Sequence, residues 1–220
     1  GSYVYKKLGY RRVAILHINN DYGLGLKKTF AESFSNEGGD VIIIENYEQD
    51  ATDFRTQLIK VKQSNPEAIY LVGYGEMGNI LRQAKEIGIK AQFFSCIMFE
   101  DPDILKVAGD TAEGIIYAYP AYNPESDQIH ISKFVFAFEQ KYGKNPDIYA
   151  ASSYDALKIL SLAINKKGLS SEAIKDALYS IQDFQGVTGR TSFDANGDVT
   201  KPIGIKKVEG GQFKWVLYEF

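Results

Sequence analysis

Residues 13–44 have the sequence VAILHINNDYGLGLKKTFAESFSNEGGDVIII, which contains a strand, a helix and a second strand in succession. The run Val13–Ile18 is short and almost continuously apolar, as in a strand buried on both faces. A helix is predicted from about Gly23 to Glu37, because apolar side chains recur on one face before Gly38-Gly39 ends it. Those side chains are Leu26, Phe30 and Phe34. Val41–Ile44 is then the next strand, and this order is typical of one unit of a parallel sheet.

The same alternation continues to about residue 119, with amphipathic helices between the strands. The further predicted strands are Ala68–Val72, Gln92–Cys96 and Gly114–Ala118. Thr52 or Asp53 is expected to cap the helix after the second strand, since either side chain can accept a hydrogen bond from a free helix N–H group. Four strand–helix units and a further strand predict an α/β domain with a doubly wound, mostly parallel sheet over residues 3–119.

The pattern changes after Tyr119-Pro120, where three amphipathic helices follow almost without strands. Only one short strand is predicted beside them, near Arg190–Phe193, and residues 199–220 are predicted to form a C-terminal β-hairpin. Residues 120–198 therefore supply helices with little sheet to cover their apolar faces. We expect the covering layer either on residues 3–119 or in sequence that precedes this chain, and we favour the second.

These helices also predict self-association of the chain. Phe134 and Phe138 share the apolar face of the first helix, and without a covering layer both are expected to be exposed. Exposed apolar patches tend to be interaction sites. We therefore expect chains to associate, for example by exchanging these helices between copies.

The composition argues against several classes of function. The formal net charge is -3 and the basic residues are scattered, so no nucleic-acid partner is predicted. The chain has two histidines and one cysteine, without metal-ligand spacing, and it lacks the G-x-S-x-G pattern of hydrolases. His17 is expected to be a core histidine and Cys96 a buried thiol. We predict no catalytic residue, no metal and no cofactor, and therefore a protein that is not an enzyme.

A nucleotide-dependent enzyme remains as a remote alternative. Gly23-Leu24-Gly25 follows a strand and opens a helix, and Glu45 ends the next strand about where a ribose-binding acid would lie. The pattern is incomplete because Lys28 replaces the third glycine. Asp21 would also repel a pyrophosphate group.

Three loops are expected to meet at one edge of the predicted sheet. Tyr22 follows the first strand, Tyr74 follows the third, and Cys96-Ile97 follow the fourth. Ligands of open α/β sheets bind at the carboxyl ends of the strands. A tyrosine ring can cover an apolar ligand while its hydroxyl forms one directional hydrogen bond. The sequence thus predicts that Tyr22 and Tyr74 line a ligand site.

Several segments in the same order resemble leucine/isoleucine/valine-binding proteins, which are type I periplasmic solute-binding proteins of ABC importers. The resemblance extends over nearly the whole chain. The segments that carry it are Arg12–His17, Asp21–Leu26, Ala51–Phe54, Gly73–Ala84, Gly186–Asp194 and Asn196–Asp198.

The resemblance implies two α/β lobes joined by three crossings, with a ligand closed between them. It places residues 3–119 in the second lobe, residues 120–198 in the returning part of the first lobe, and the hairpin of residues 199–220 near the hinge and the second lobe. It implies that most of the first lobe precedes this chain, so that the chain alone binds poorly. It further implies a membrane permease as partner and a periplasmic or lipid-anchored extracytoplasmic location. A ligand-sensing domain of a receptor or regulator is the alternative within this fold.

The resemblance also implies roles for individual residues. Tyr22, Tyr74 and Tyr149 match ligand-facing aromatic positions of the family. Amino-acid-binding members carry a carboxylate after the fourth strand that receives the ligand ammonium, and Ile97 occupies that position here. Either Glu100 replaces that carboxylate, or the ligand is an aromatic or aliphatic carboxylate that carries no ammonium, because an unpaired buried ammonium is costly.

Overall fold

A computed structural model describes residues 1–217 of the chain. By their internal contacts these residues form two compact units. The first unit comprises Gly1–Ala118 and Ile205–Val216, and the second comprises Tyr119–Gly204 and Leu217.

The described residues alternate between helix and strand in the first half and become mainly helical in the second. The helices are α1 (Ser2–Lys6), α2 (Asp21–Ser35), α3 (Arg55–Gln63), α4 (Met77–Glu86), α5 (Pro102–Ala108), α6 (Ile129–Tyr142), α7 (Ile148–Lys167) and α8 (Ser171–Tyr179). The strands are β1 (Arg12–Ile18), β2 (Asp40–Tyr47), β3 (Ala68–Val72), β4 (Gln92–Ser95), β5 (Ile116–Pro120), β6 (Phe184–Gly186), β7 (Gly189–Phe193), β8 (Val199–Thr200), β9 (Ile203–Glu209) and β10 (Gln212–Leu217).

The sheet of the first unit is doubly wound, as the sequence predicts. Within residues 1–217 its strand order is β10-β9-β5-β4-β3-β1-β2. β1 is parallel to both β2 and β3, β3 is parallel to β4, and β4 is parallel to β5. β5 begins at Ile116 rather than at the predicted Gly114, because Gly114 takes a positive φ of 83° as the chain leaves a 3-10 turn.

β1 lies inside this sheet, which explains its apolar sequence. All of its residues except Arg12 are buried, including His17, which is confirmed as a core histidine. The Nδ1 atom of His17 lies 2.9 Å from the carbonyl oxygen of Ile18, so the buried ring has a polar partner. At the amino edge of the sheet, Glu67 accepts hydrogen bonds from the backbone N–H groups of Arg11 (2.7 Å) and Arg12 (3.1 Å). This carboxylate joins the starts of β1 and β3.

The apolar face of α2 packs on the sheet through aromatic rings. Phe30 and Phe34 are buried, and the ring of Phe30 stacks on that of Tyr70 in β3 with centroids 4.1 Å apart. Leu26, the third residue of the predicted stripe, is partly buried beside them. Stacked and edge-on aromatic pairs add to the stabilisation that burial of their area provides.

The predicted cap of α3 is confirmed in one respect, since Asp53 Oδ1 accepts a hydrogen bond from the backbone N–H of Arg55, the first residue of the helix, at 3.1 Å. The N-cap residue is Phe54, whose side chain is buried in the core, and neither Thr52 nor Asp53 occupies the cap. The reason is a tertiary contact with Gln83 of α4. Gln83 Oε1 accepts from the backbone N–H of Phe54 (2.7 Å), and Gln83 Nε2 donates to the carbonyl oxygen of Thr52 (2.8 Å). The side chain from α4 therefore fixes this loop together with the local contact of Asp53.

The C-terminal hairpin is present over the described residues and extends the sheet of the first unit. β9 and β10 are joined by Gly210-Gly211, both with positive φ, and β9 lies beside β5. Glu113 accepts from the backbone N–H groups of Gly210 (3.0 Å) and Gly211 (3.3 Å). The prediction for residues 218–220 lies outside the described residues.

The second unit contains more sheet than the sequence predicts. β6, β7 and β8 form a three-stranded sheet in the described part of the chain, antiparallel at both pairings, whereas only the strand corresponding to β7 was expected. β6 and β8 have three and two residues, which is too short for an alternating pattern to appear. Asp155 on α7 joins this sheet to the helices, because its buried carboxylate accepts from the backbone N–H groups of Val187 (2.8 Å) and Thr188 (2.9 Å).

The prediction that Phe134 is exposed is wrong. Phe134 is only 6% exposed, since its ring packs against Tyr154 of α7 (centroids 4.7 Å apart) and against the half-buried Phe138 (6.0 Å). The exposed apolar side chains lie at other positions of the helices, among them Phe136 on α6 and Leu157 on α7, which are 64% and 68% exposed. The helices therefore cover the face that carries Phe134 and leave these other apolar side chains in solvent.

Candidate ligand site at the carboxyl edge of the sheet

The structure brings two of the predicted site residues, Tyr22 and Tyr74, into contact. Tyr22 lies in the first turn of α2 after β1, and Tyr74 lies in the loop after β3. Their rings stack with centroids 5.4 Å apart and an interplanar angle of 22°. Because β1 and β3 are parallel neighbours, both residues lie at the carboxyl edge of the sheet. The pair forms an aromatic surface at this edge, of the kind that can cover an apolar ligand.

Tyr22 is placed by the way in which α2 begins. Asn20 caps the helix, since its Oδ1 accepts from the backbone N–H of Gly23 at 2.9 Å. A Cβ atom at Gly23 would lie only 1.9 Å from the carbonyl oxygen of Ile18. Glycine therefore lets the first turn of α2 pack directly against the end of β1. Gly23 thus has a steric role within the fold, whereas a Cβ atom at Gly25 would meet nothing within 4 Å.

The hydroxyl of Tyr22 is directed to the end of a third strand. It donates a hydrogen bond to the Sγ atom of Cys96, at 3.3 Å, in the residue that follows β4. Burial is the main cause that raises the pKa of Tyr22 above its ordinary value, and the neighbouring Cys96 raises it further. Tyr22 is thus a neutral donor at physiological pH. Cys96 is buried, as predicted.

Tyr74 is placed by a residue that sequence reasoning missed, Glu76. Glu76 Oε1 accepts from the backbone N–H of Tyr74 at 3.0 Å and lies 2.9 Å from the hydroxyl of Tyr47 at the end of β2. The only local signal for Glu76 is its spacing of two residues from Tyr74. Its partner Tyr47 is 29 residues away in the chain, so the contact depends on the fold.

Ile97 and Glu100 lie together in the segment that follows β4. Ile97 starts a 3-10 turn over Ile97–Phe99 and is half-buried. The carboxylate of Glu100 is already engaged, since Lys206 of β9 donates to its Oε1 and the hydroxyl of Tyr117 in β5 donates to its Oε2. A ligand ammonium would have to compete with the Lys206 ammonium for this carboxylate.

Tyr149 belongs to the second unit. It is the second residue of α7, directly after Ile148, and Asp147 caps that helix by accepting from the backbone N–H of Ala150 at 2.8 Å. The side chain of Tyr149 is 58% exposed. Its predicted role in binding stays a prediction.

Residues 1–217 contain neither a cluster of metal-binding side chains nor a helix that could span a membrane. Over these residues there is no group of three or more His, Cys, Asp or Glu side chains that could hold a metal ion. Nor does any helix in this part of the chain combine the length and the apolar character needed to cross a lipid bilayer.

Comparison with known sequences places the chain among solute-binding proteins. Residues 1–212 match the family described as periplasmic binding protein. The chain is 29% identical over 216 residues to a Leu/Ile/Val-binding protein of Citrobacter freundii, a match that covers 97% of this chain and 56% of that protein. The chain therefore spans little more than half the length of this relative.

Comparison with solved structures agrees with this assignment. A leucine-binding protein from Thermotoga maritima superposes with a TM-score of 0.82 at 30% identity, over 97% of this chain and 61% of that one. A branched-chain amino acid transporter substrate-binding protein from Streptococcus pneumoniae, solved in complex with isoleucine, gives a TM-score of 0.77 at 29% identity, over 98% and 63% of the two chains. With the sequence match over nearly all of its length, the chain belongs to the periplasmic binding protein family.

Proposed function

We propose that the protein containing this chain binds a small solute reversibly, a branched-chain amino acid or a related carboxylate, and delivers it to an ABC importer. The observation that carries this proposal is the stacked pair of Tyr22 and Tyr74 at the carboxyl edge of a parallel sheet. Relatives of this chain are named as binding proteins for leucine, isoleucine and valine, which supports an aliphatic side chain as the part of the ligand that the rings cover.

The segment after β4 bears on whether the ligand carries an ammonium group. An ammonium group that is buried by binding needs an anionic partner. Ile97 offers none, and Glu100 is paired with Lys206 and Tyr117. This arrangement favours a ligand whose recognition in the first unit relies on apolar contact and on hydroxyl groups. We keep Glu100 as the residue that would receive an ammonium if an amino acid is the ligand.

The remaining parts of the proposal concern partners, location and chemistry. We propose a membrane permease as the partner and a place of action on the outer side of the cytoplasmic membrane, periplasmic or lipid-anchored. We also propose that the protein binds its ligand without converting it. Support for all three comes from the family and from the named relatives. Self-association of this chain remains part of the proposal and is supported by the exposed apolar side chains of α6 and α7.

Thermal unfolding with matched ligands tests the proposal in the intact polypeptide that contains this chain. Leucine is compared with 4-methylpentanoate, which lacks only the ammonium group, and with 3-methylbutylamine, which lacks only the carboxylate. Benzoate represents the aromatic carboxylates. A ligand at a hundred times its Kd is expected to stabilise the native state by about 2.7 kcal/mol, because it binds the native state alone.

Variants of Tyr74 connect any binding to the proposed site. Tyr74→Ala removes the ring and is expected to raise the Kd at least about tenfold, since burial of an aromatic face is lost, whereas Tyr74→Phe keeps the ring and most of the affinity. Tyr142→Ala, at an exposed tyrosine of α6, is the matched control and should leave the Kd unchanged. If a ligand stabilises the wild type and Tyr74→Ala equally, the tyrosine pair is not the site.

A further inference from the structure

Glu76 stands at a position where a side chain ordinarily caps its own helix, yet it does not do so. It is the N-cap residue of α4, and its carboxylate makes no capping hydrogen bond to the first turn. The carboxylate instead turns back along the chain and accepts from the backbone N–H of Tyr74 at 3.0 Å. This distance is ordinary for an N–H···O hydrogen bond, and the bond holds the backbone of Tyr74 in place.

The same carboxylate oxygen is tied to the neighbouring strand. The hydroxyl of Tyr47, at the end of β2, lies 2.9 Å from Glu76 Oε1 and 3.0 Å from the carbonyl oxygen of Val72, so its single proton is shared between these two acceptors. Tyr47 is buried, and this burial is the main cause that raises its pKa. The hydroxyl therefore stays protonated and remains a donor at all physiological pH values.

The backbone at Gly73 packs closely against both of these side chains. A Cβ atom at Gly73 would lie 2.0 Å from the hydroxyl oxygen of Tyr47 and 2.6 Å from Glu76 Oε1. The backbone at the end of β3 therefore passes directly against the hydroxyl and the carboxylate. Only a residue without a side chain permits this close approach.

These contacts form one continuous connection along the carboxyl edge of the sheet. Tyr47 at the end of β2 holds Glu76, Glu76 holds the backbone of Tyr74 after β3, and the ring of Tyr74 stacks on Tyr22 after β1. Tyr22 in turn donates to Cys96 after β4. Four neighbouring strand ends are thus linked through the tyrosine pair.

We propose that Glu76 is a positioning residue of the ligand site, which holds Tyr74 against Tyr22 in the geometry that receives the ligand. This inference rests on the proposed function, because it assumes that the tyrosine pair contacts the ligand. Glu76 is not proposed to touch the ligand: it is held by the hydroxyl of Tyr47 and acts by holding the backbone of Tyr74. Without the carboxylate, the loop after β3 must be ordered during binding, which weakens the affinity.

The test compares Glu76→Ala with Glu76→Gln in the intact polypeptide, with leucine and 4-methylpentanoate as probes. Glu76→Ala is expected to raise the Kd about 3- to 10-fold, the range that ordering one side chain and its loop requires. Glu76→Gln keeps an oxygen acceptor for Tyr74 N–H and should change the Kd by no more than about twofold. Glu67→Ala is the matched control, because Glu67 also accepts from two backbone N–H groups, but at the opposite edge of the sheet. It should lower the unfolding temperature without changing the Kd.

Ring proton NMR shifts of Tyr22 and Tyr74 supply a second readout that needs no ligand. Stacked rings shift the resonances of each other, so Glu76→Ala should move both sets toward the values of an unstacked tyrosine, and Glu76→Gln should not. Unchanged ring shifts in Glu76→Ala would overturn the inference. So would an unchanged Kd in Glu76→Ala when Tyr74→Ala loses affinity, and the proposed function would then still stand. If Tyr74→Ala itself binds every effective probe as the wild type does, the proposed site is wrong and the inference with it.

Discussion

At the scale of single residues, carboxylates of this chain serve as acceptors for backbone N–H groups. Glu67 binds two of them at the amino edge of the sheet, Asp155 binds two in the second unit, and Glu76 binds one beside Tyr74. Each of these bonds depends on the charge of the acceptor, because an ionised carboxylate accepts more strongly than a neutral one. Acid should therefore weaken the fold at Glu67, whose pKa is lowered by its backbone N–H donors.

Glu67 makes the free energy of unfolding depend on pH. The N–H groups of Arg11 and Arg12 hold the pKa of Glu67 below its ordinary value. The stabilisation is therefore complete above the ordinary pKa and is lost as the pH falls through the lowered one. We expect Glu67→Gln to be less stable than the wild type by about 0.5 kcal/mol at pH 7, a small value because Glu67 is exposed and solvent screens it.

Urea unfolding at pH 7 and at pH 3 measures this difference. The gap between wild type and Glu67→Gln should be smaller at the lower pH, because the wild type loses the stabilisation as the pH falls toward the lowered pKa of Glu67. Glu125→Gln, at an exposed carboxylate in the loop before α6, is the control and should show no such trend. A gap of equal size at both pH values would mean that charge does not contribute at Glu67.

At the scale of elements, an ion pair attaches the C-terminal hairpin to the rest of the first unit. Lys206 of β9 is only 7% exposed and binds Glu100, which the hydroxyl of Tyr117 in β5 also binds. The ammonium of Lys206 further lies 5.1 Å from the ring of Trp215 in β10. A charge this deeply buried is stable only while its partner remains.

Removing one partner of this pair should therefore cost more stability than removing both. We expect Glu100→Gln to lower the free energy of unfolding by about 2–3 kcal/mol, because Lys206 loses its counter-ion in a site that water reaches poorly. The double variant Glu100→Gln with Lys206→Met should lie closer to the wild type. The fluorescence of Trp215, the single tryptophan of the chain, follows unfolding at this position. A double variant less stable than Glu100→Gln would contradict a role for the pair.

At the scale of the whole molecule, the first unit buries its apolar faces more completely than the second. α2 covers β1, β2 and β3 of the parallel sheet, whereas α7 leaves large apolar side chains in solvent although it has 20 residues. The exposed set on α6 and α7 comprises Ile129, Phe136, Tyr142, Tyr149, Tyr154, Leu157, Leu160 and Leu162. Exposed apolar surface of this extent is typical of an interaction face.

We expect this chain by itself to associate through that face. Light scattering at rising concentration should give a mass above the 24.6 kDa of one chain. Leu157→Lys places a charge in the apolar face and should restore the mass of a single chain. Asn165→Lys adds the same charge at an exposed polar position of α7 and should not. A wild-type chain that remains monomeric at high concentration would refute self-association.

The fold of the first unit was predictable because its signals are local. Continuous apolar runs such as Ala68–Val72 mark strands buried on both faces, and the structure has a strand with these same bounds. Signals that depend on distant contacts were missed. α3 begins at Arg55 because Gln83 holds the preceding loop, and β6 and β8 exist only by pairing with β7.

The site could be predicted in part for the same reason. Tyr22 and Tyr74 were expected at one edge because parallel strands all end on the same side of a sheet. That their rings stack depends on the spacing of β1 and β3 and on the close approach at Gly23 and Gly73, which no local pattern encodes. Glu76 was missed because its partner Tyr47 lies on another strand.

By itself, therefore, the sequence determined the α/β class, the parallel sheet, the hairpin and the sheet edge at which Tyr22 and Tyr74 lie, since periodicity and loop position are properties of neighbouring residues. Tertiary structure alone decided which side chains meet. It buried Phe134 against Tyr154, engaged Glu100 with Lys206 and placed Glu76 between Tyr47 and Tyr74. Such pairings join residues far apart in the chain, and they form only when the packing of whole elements brings those residues within hydrogen-bond or van der Waals distance.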